Sequence, residues 1–141
     1  MVYLAIDPGL AQIGVAISHE GKLAEPLTTF PARNASHSDA GGLAHQLIDH
    51  VKKLVDEHHP DVIVIGEPHV GPIKDLSVVL HDEIKRVFSG RVVLHPEDLS
   101  SQEAVKKMVE GGVPKEKRKE EEHAAAATLI LQDYLDSKPS L

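Results

Sequence analysis

Cysteine and tryptophan are both absent from the 141 residues. Without a thiol there is no disulfide, no thiolate-held zinc or iron–sulfur cluster and no cysteine nucleophile. Aromatic residues make up 3% of the chain, so the core has to be aliphatic, assembled from Val, Ile, Leu and Ala. No apolar run approaches the roughly 18 residues that span a bilayer. The opening apolar run, residues 1–6, is cut by Asp7 before it could serve as a signal-peptide core. A soluble, cytoplasmic protein with no membrane partner is expected. Positive charge is also scarce: 15 Lys and Arg against 22 Asp and Glu leave a net charge of −7, with ten histidines in reserve. A chain of that sign cannot hold nucleic acid through its overall field, so such a partner needs a local basic patch or metal ions. Phosphate loops are missing as well. Gly9 and Gly14 have the spacing that opens a Walker motif, but Val15-Ala16 stand where Lys-Ser/Thr are required, and no GxGxxG, GxSxG or HExxH occurs.

At about 150 residues per domain, residues 1–141 read as one unit, with 41% hydrophobic residues to fill its core. Residues 2–6 are an apolar run stopped by Asp7-Pro8-Gly9, the pattern of a buried strand that ends in a turn. Ile13, Val15 and Ile17 alternate with Gly14, Ala16 and Ser18, and Glu20-Gly21 turns the chain into a third strand over residues 22–30. After a polar loop, Leu43, Leu47, Val51 and Leu54 form a helical stripe that breaks at Pro60. Residues 62–65 are continuously apolar, as in a strand covered on both faces. Leu76, Leu80, Ile84 and Val87 make a second stripe, Gly90 ends it, and residues 91–94 form a fifth strand. A short helix is expected from Ser100 or Ser101 to Met108, and a last, alanine-rich one over residues 124–135. The order βββαβαβα calls for antiparallel pairing in the first half and parallel pairing in the second. The expected fold is therefore α/β, a five-stranded mixed sheet with helices on both faces. Its element order resembles the ribonuclease H-like fold.

Acids follow three of these strands: Asp7, Glu67 and Glu97. Ligands of open α/β sheets bind at such strand ends. Asp7 shares a strand face with Tyr3 and Ala5, and Pro8-Gly9 turns the backbone away from its carboxylate; an Asp that only hydrogen-bonds its own turn would have the same sequence. Glu67 repeats the arrangement between Gly66 and Pro68. Two carboxylates on neighbouring strand ends repel, and a divalent cation between them relieves the repulsion. On the last helix Glu120 and His123 are three apart, hence on one face, which continues through Ala127, Ile130 and Tyr134. Glu121 and Glu122 read instead as a solvated first turn that suits the helix dipole. Elsewhere the paired histidines are bland: His58-His59 end a helix, and His45 and His50, five apart, cannot share a helical face.

At these residues the sequence resembles the YqgF/RuvX family of Holliday junction resolvases, also described as pre-16S ribosomal RNA nucleases. The resemblance is carried by Ala5-Ile6-Asp7-Pro8-Gly9, Ile13-Gly14-Val15-Ala16 and Pro60-Asp61-Val62-Ile63-Val64-Ile65-Gly66, then by Glu97-x-Leu99-Ser100-Ser101-x-x-Ala104 and Ala126-Ala127-x-x-Ile130-Leu131-Gln132-x-Tyr134-Leu135. It implies a ribonuclease H-like fold and phosphodiester cleavage at acidic residues that bind divalent metal ions. Asp7 and Glu97 match the family's acids. Three positions depart from its pattern: His123 stands where Asp is usual, Glu67 where Leu is usual, and Asp98 where Arg is usual. An acid at the Glu67 position, and ligands three apart on the last helix, are features of the related RuvC resolvases.

The resemblance implies a metal-dependent endonuclease acting on branched DNA or precursor 16S rRNA. Two Mg²⁺ or Mn²⁺ ions about 4 Å apart would serve it, with Asp7, Glu67, Glu120 and His123 as candidate ligands. Asp7, Glu67, Glu97 and His123 are the candidate catalytic residues. Imidazole tilts the preference toward manganese. Lys106, Lys107, Lys115, Lys117, Arg118 and Lys119 are candidate backbone contacts, although interleaved glutamates fit a solvated loop equally well. Symmetric cleavage of a junction calls for a twofold homodimer. The alternatives are a non-catalytic nucleic-acid-binding protein with a degenerate site and, last, an actin-like sugar kinase fragment, which shares the opening Asp-Pro-Gly strand.

Overall fold

Every residue of the first strand is buried, as a strand covered on both faces must be. Around it the computed structural model describes residues 1–9, 12–31, 40–68, 72–96 and 118–137, with backbone alone for 40–46, 72–73 and 118–123. The elements are β1 (Tyr3–Asp7), β2 (Gln12–Ser18), β3 (Glu25–Pro31), α1 (Ala40–His58), β4 (Val62–Glu67), α2 (Pro72–Val87), β5 (Arg91–Pro96) and α3 (Arg118–Ser137). Strands run in the order β3-β2-β1-β4-β5. β2 is antiparallel to both β1 and β3, whereas β4 is parallel to both β1 and β5. This is the expected mixed sheet. The helix expected between residues 100 and 108 lies outside the described residues.

Alternation sorts the side chains into two layers. Leu4, Ile6, Ile13, Val15, Ile17, Ile63 and Ile65 pack against α1 and α2, where Leu47, Val51, Leu76, Leu80 and Ile84 meet them. Tyr3, Ala5, Ala16, Val62 and Val64 face α3, against Ala127, Ile130, Leu131 and Leu135. The second layer is built from small residues, Ala5 and Ala16 below and Ala124 and Ala127 above, all buried. With so little side chain between them, the helix backbone lies close to the sheet.

Several boundaries differ from the sequence reading. β3 starts at Glu25 rather than at residue 22, because Gly21 takes a left-handed φ of 82° and its N–H is held by the Ser18 Oγ at 3.0 Å, which widens the turn. α3 starts at Arg118, so the charged stretch before the alanines is already helical. α1 ends through His59, whose N–H still donates to the Val55 carbonyl at 2.9 Å while its left-handed φ of 50° turns the following chain out of the helix. Asp61 acts structurally: its carboxylate accepts the Val2 N–H at 2.8 Å while its own N–H donates to the Val2 carbonyl at 2.7 Å, pinning the start of β4 to that of β1.

Candidate active site

The site starts from register. Asp7 pairs with Gly14 on β2. Ile6 pairs with Ile65 on β4, which brings Gly66 up beside Asp7. Both strands flanking the carboxylate therefore offer glycine. A Cβ on Gly66 would sit 3.7 Å from Asp7 Oδ1 and 2.7 Å from Ile130 Cδ1. Asp7 thus faces the α3 layer with no side chain on the residue beside it in either neighbouring strand, and it is only 7% exposed. A carboxylate so removed from water is costly to keep ionised unless donors or cations meet it.

α3 runs back along the sheet from this rim. Its Gln132 accepts the Ala24 N–H at 2.9 Å through Oε1 and donates through Nε2 to the Lys22 carbonyl at 3.0 Å, both in the β2–β3 turn. Tyr134 lies 6.2 Å from the ring of Tyr3, where β1 begins. Ile130 covers Gly66, where β4 ends. Residues before Ile130 accordingly lead out past the strand ends that carry Asp7 and Glu67. The backbone of Glu120 and His123 lies on this leading part of α3, and that of Arg118 and Lys119 forms its first turn. Glu67 follows Gly66 by one residue, so its register puts it with Ile63 and Ile65 on the α1/α2 side of the rim, half-buried. Glu97, Lys106, Lys107, Lys115 and Lys117 lie outside the described residues.

Sequence reasoning missed three features here. Ser77, fully buried on α2, donates its hydroxyl to the Gly66 carbonyl at 2.8 Å and so fixes the peptide that carries Glu67. Within an apolar helical stripe, nothing marks that serine except its small size. Ser77→Ala should cost about 1 kcal/mol in denaturant unfolding and lower any cleavage that depends on Glu67; unchanged stability would remove Ser77 from this role. His95, next to last in β5 and opposite Gly66, meets the Asp133 carboxylate of α3 at 2.6 Å and packs edge-on against Tyr134 at 5.7 Å, tying the fifth strand to α3. Gln12 opens β2 on Asp7's face, and its Oε1 is shut off from solvent with no hydrogen-bond partner among the described residues. Its signal was present in the alternation of Gln12, Gly14 and Ala16 against Ile13, Val15 and Ile17.

Among the described residues no three His, Asp or Glu side chains gather into a cation cluster. On Asp7's face of the sheet the described oxygens, the Asp7 carboxylate and the orphaned Gln12 amide, are hard donors of the kind magnesium and manganese take. The donor set fits such an ion.

A family model described as "RuvX: Holliday junction resolvase" matches residues 1–137. The chain belongs to the RuvX family. A Carboxydothermus hydrogenoformans relative is 34% identical over 144 residues, with 98% of each chain covered. A Geobacillus kaustophilus relative is 33% identical over 141 residues, covering 96% of this chain and 97% of its own. Both carry the provisional name pre-16S rRNA nuclease. Among solved structures, Thermus thermophilus RuvC in complex with a Holliday junction substrate aligns with a TM-score of 0.61 at 17% identity, over 96% of this chain and 94% of that one. The fowlpox virus resolvase, solved with Holliday junction DNA, gives 0.59 at 10% identity over 97% and 98%. Likeness at these identities speaks for the fold, which is RuvC-like and ribonuclease H-like as expected; the sequence match carries the family.

Proposed function

We propose that this RuvX-family chain is a divalent-metal-dependent endonuclease that hydrolyses phosphodiesters in structured nucleic acid, branched DNA or precursor 16S rRNA. The observation that carries it is the buried Asp7 carboxylate, standing between two glycines at the end of the central strand. Asp7, Glu120 and His123 would hold Mg²⁺ or Mn²⁺, and Glu67, which the register of β4 turns to the α1/α2 side of the rim rather than to the face of Asp7, would join them from the strand end. When bound, such ions activate a water and neutralise charge on the phosphorane. Asp7 anchors the site from the rigid centre of the sheet. Ser77 fixes the strand end that presents Glu67, and Glu97 orients the attacking water or adds a ligand. Lys106, Lys107, Lys115, Lys117, Arg118 and Lys119 meet the phosphate backbone, which a chain of net charge −7 has to do locally. The unit acts in the cytoplasm as one domain, and a homodimer would place two such sites on a symmetric junction.

The deciding experiment offers junction DNA, single-stranded DNA and structured RNA of matched length with Mg²⁺, Mn²⁺ or EDTA. Cleavage of a structured substrate that EDTA abolishes is expected. Tight binding with no cleavage under any metal would put a non-catalytic nucleic-acid-binding protein in its place.

A further inference from the structure

We propose that Gln12 is a further oxygen ligand of the cation held at Asp7, an assignment that rests on the metal-dependent reading above. Alternation along β2 places Gln12 on the face of Gly14 and Ala16, the face Asp7 also occupies. Gln12 is the diagonal neighbour of Asp7, two residues beyond the Asp7–Gly14 pair. Side chains related in this way start about 7–8 Å apart, within reach of a long residue. The residue directly across from Asp7 and next to Gln12 on that face is Gly14, which has no side chain to fill the corner they share. The Gln12 Oε1 is buried and accepts no hydrogen bond among the described residues, a state that costs stability unless something electropositive meets the oxygen.

Amide oxygens are ordinary ligands of hard cations. A neutral amide has a specific advantage beside a buried carboxylate. It adds a donor without the repulsion a second acid would bring to the metal-free protein. Gln12 therefore raises the coordination available at Asp7 while leaving the metal-free fold undisturbed by like charge.

The test is Mn²⁺ binding to the full chain, read from the free Mn²⁺ signal in electron paramagnetic resonance, for wild type, Gln12→Leu, Gln12→Met, Gln12→Glu and Asp7→Asn. Melting in EDTA is followed in parallel. Gln12→Leu and Gln12→Met should weaken Mn²⁺ binding about tenfold and, by removing an unsatisfied acceptor, melt in EDTA no lower than wild type. Gln12→Glu should bind Mn²⁺ at least as tightly as wild type. Affinity within twofold of wild type in the Leu and Met variants, with binding lost in Asp7→Asn, would overturn the Gln12 assignment and leave the site standing. Weakened binding accompanied by a lower melting temperature in EDTA, with no recovery in Gln12→Glu, would mark Gln12 as structural and overturn it equally. If Asp7→Asn keeps wild-type Mn²⁺ binding, the metal site itself is misplaced and both readings fall.

Discussion

Asp7→Asn is expected to reduce metal-dependent cleavage on the order of 10³-fold, the equivalent of several kcal/mol of transition-state stabilisation at about 1.4 kcal/mol per tenfold. Asparagine matches aspartate in shape and keeps one acceptor oxygen, so the packing of β1 against Gly14, Gly66 and Ile130 is preserved. What changes is charge, and charge is what holds a divalent ion. The two effects separate in a melting experiment. Wild type should gain melting temperature as Mn²⁺ is added, because a ligand that binds only the folded state stabilises it by RT ln(1 + [L]/Kd). The variant should melt close to wild type in EDTA and gain little from Mn²⁺. Full turnover in Asp7→Asn would discard Asp7 as the anchor, whatever the other acids do.

How far the site could be foreseen differs from residue to residue. The fold was legible because its signals are local: two aliphatic stripes at helical spacing, two continuous apolar runs, an alternating strand and a hairpin at Glu20-Gly21 leave little choice of sheet. Asp7 was legible for the same reason, since alternation with Tyr3 and Ala5 fixes its face without any knowledge of tertiary packing. Glu67 was only half legible. The sequence placed it on a strand end next to that of Asp7, but the one-residue offset against Gly66 emerges only from pairing between strands distant in sequence. Ser77 and the His95–Asp133 contact could not be read at all, because each joins two elements whose relative height is set by the docking of a helix on the sheet. The start of α3 was misjudged because residues 115–122 carry no apolar stripe. Its described part from Arg118 onward is helical by continuity with the alanine segment rather than through buried contacts of its own.

Gly66→Ala should disturb both stability and catalysis, through one methyl group. The added Cβ would lie 2.7 Å from Ile130 Cδ1, closer than real Cβ contacts allow. Ile130 is 5% exposed within the core layer under α3, so its terminal methyl, the flexible end of the side chain, can yield only by repacking that layer. Overpacking of this kind costs about 1–3 kcal/mol, partly offset by about 0.5–1 kcal/mol from the lower chain entropy of alanine. The remaining strain pushes on α3, the helix that carries Glu120 and His123 toward the rim, while Gly66 itself neighbours Asp7. A shift of about 1 Å between catalytic groups can cost 10²-fold in rate, so cleavage should fall by about that factor even where most of the protein stays folded. Ile130→Val removes the offending Cδ1 and supplies the control. Alone it should lose about 0.5–1.5 kcal/mol for the deleted methyl; combined with Gly66→Ala it should recover most of the loss in stability and in rate. A urea-unfolding double-mutant cycle reads this directly, with a favourable coupling of about 1 kcal/mol or more expected for groups in contact. Additive losses would mean that Gly66 is not where α3 takes its height above the sheet, and the positioning of the last helix over Asp7 would then rest on the alanine layer, on Gln132 at the β2–β3 turn and on the His95–Asp133 contact.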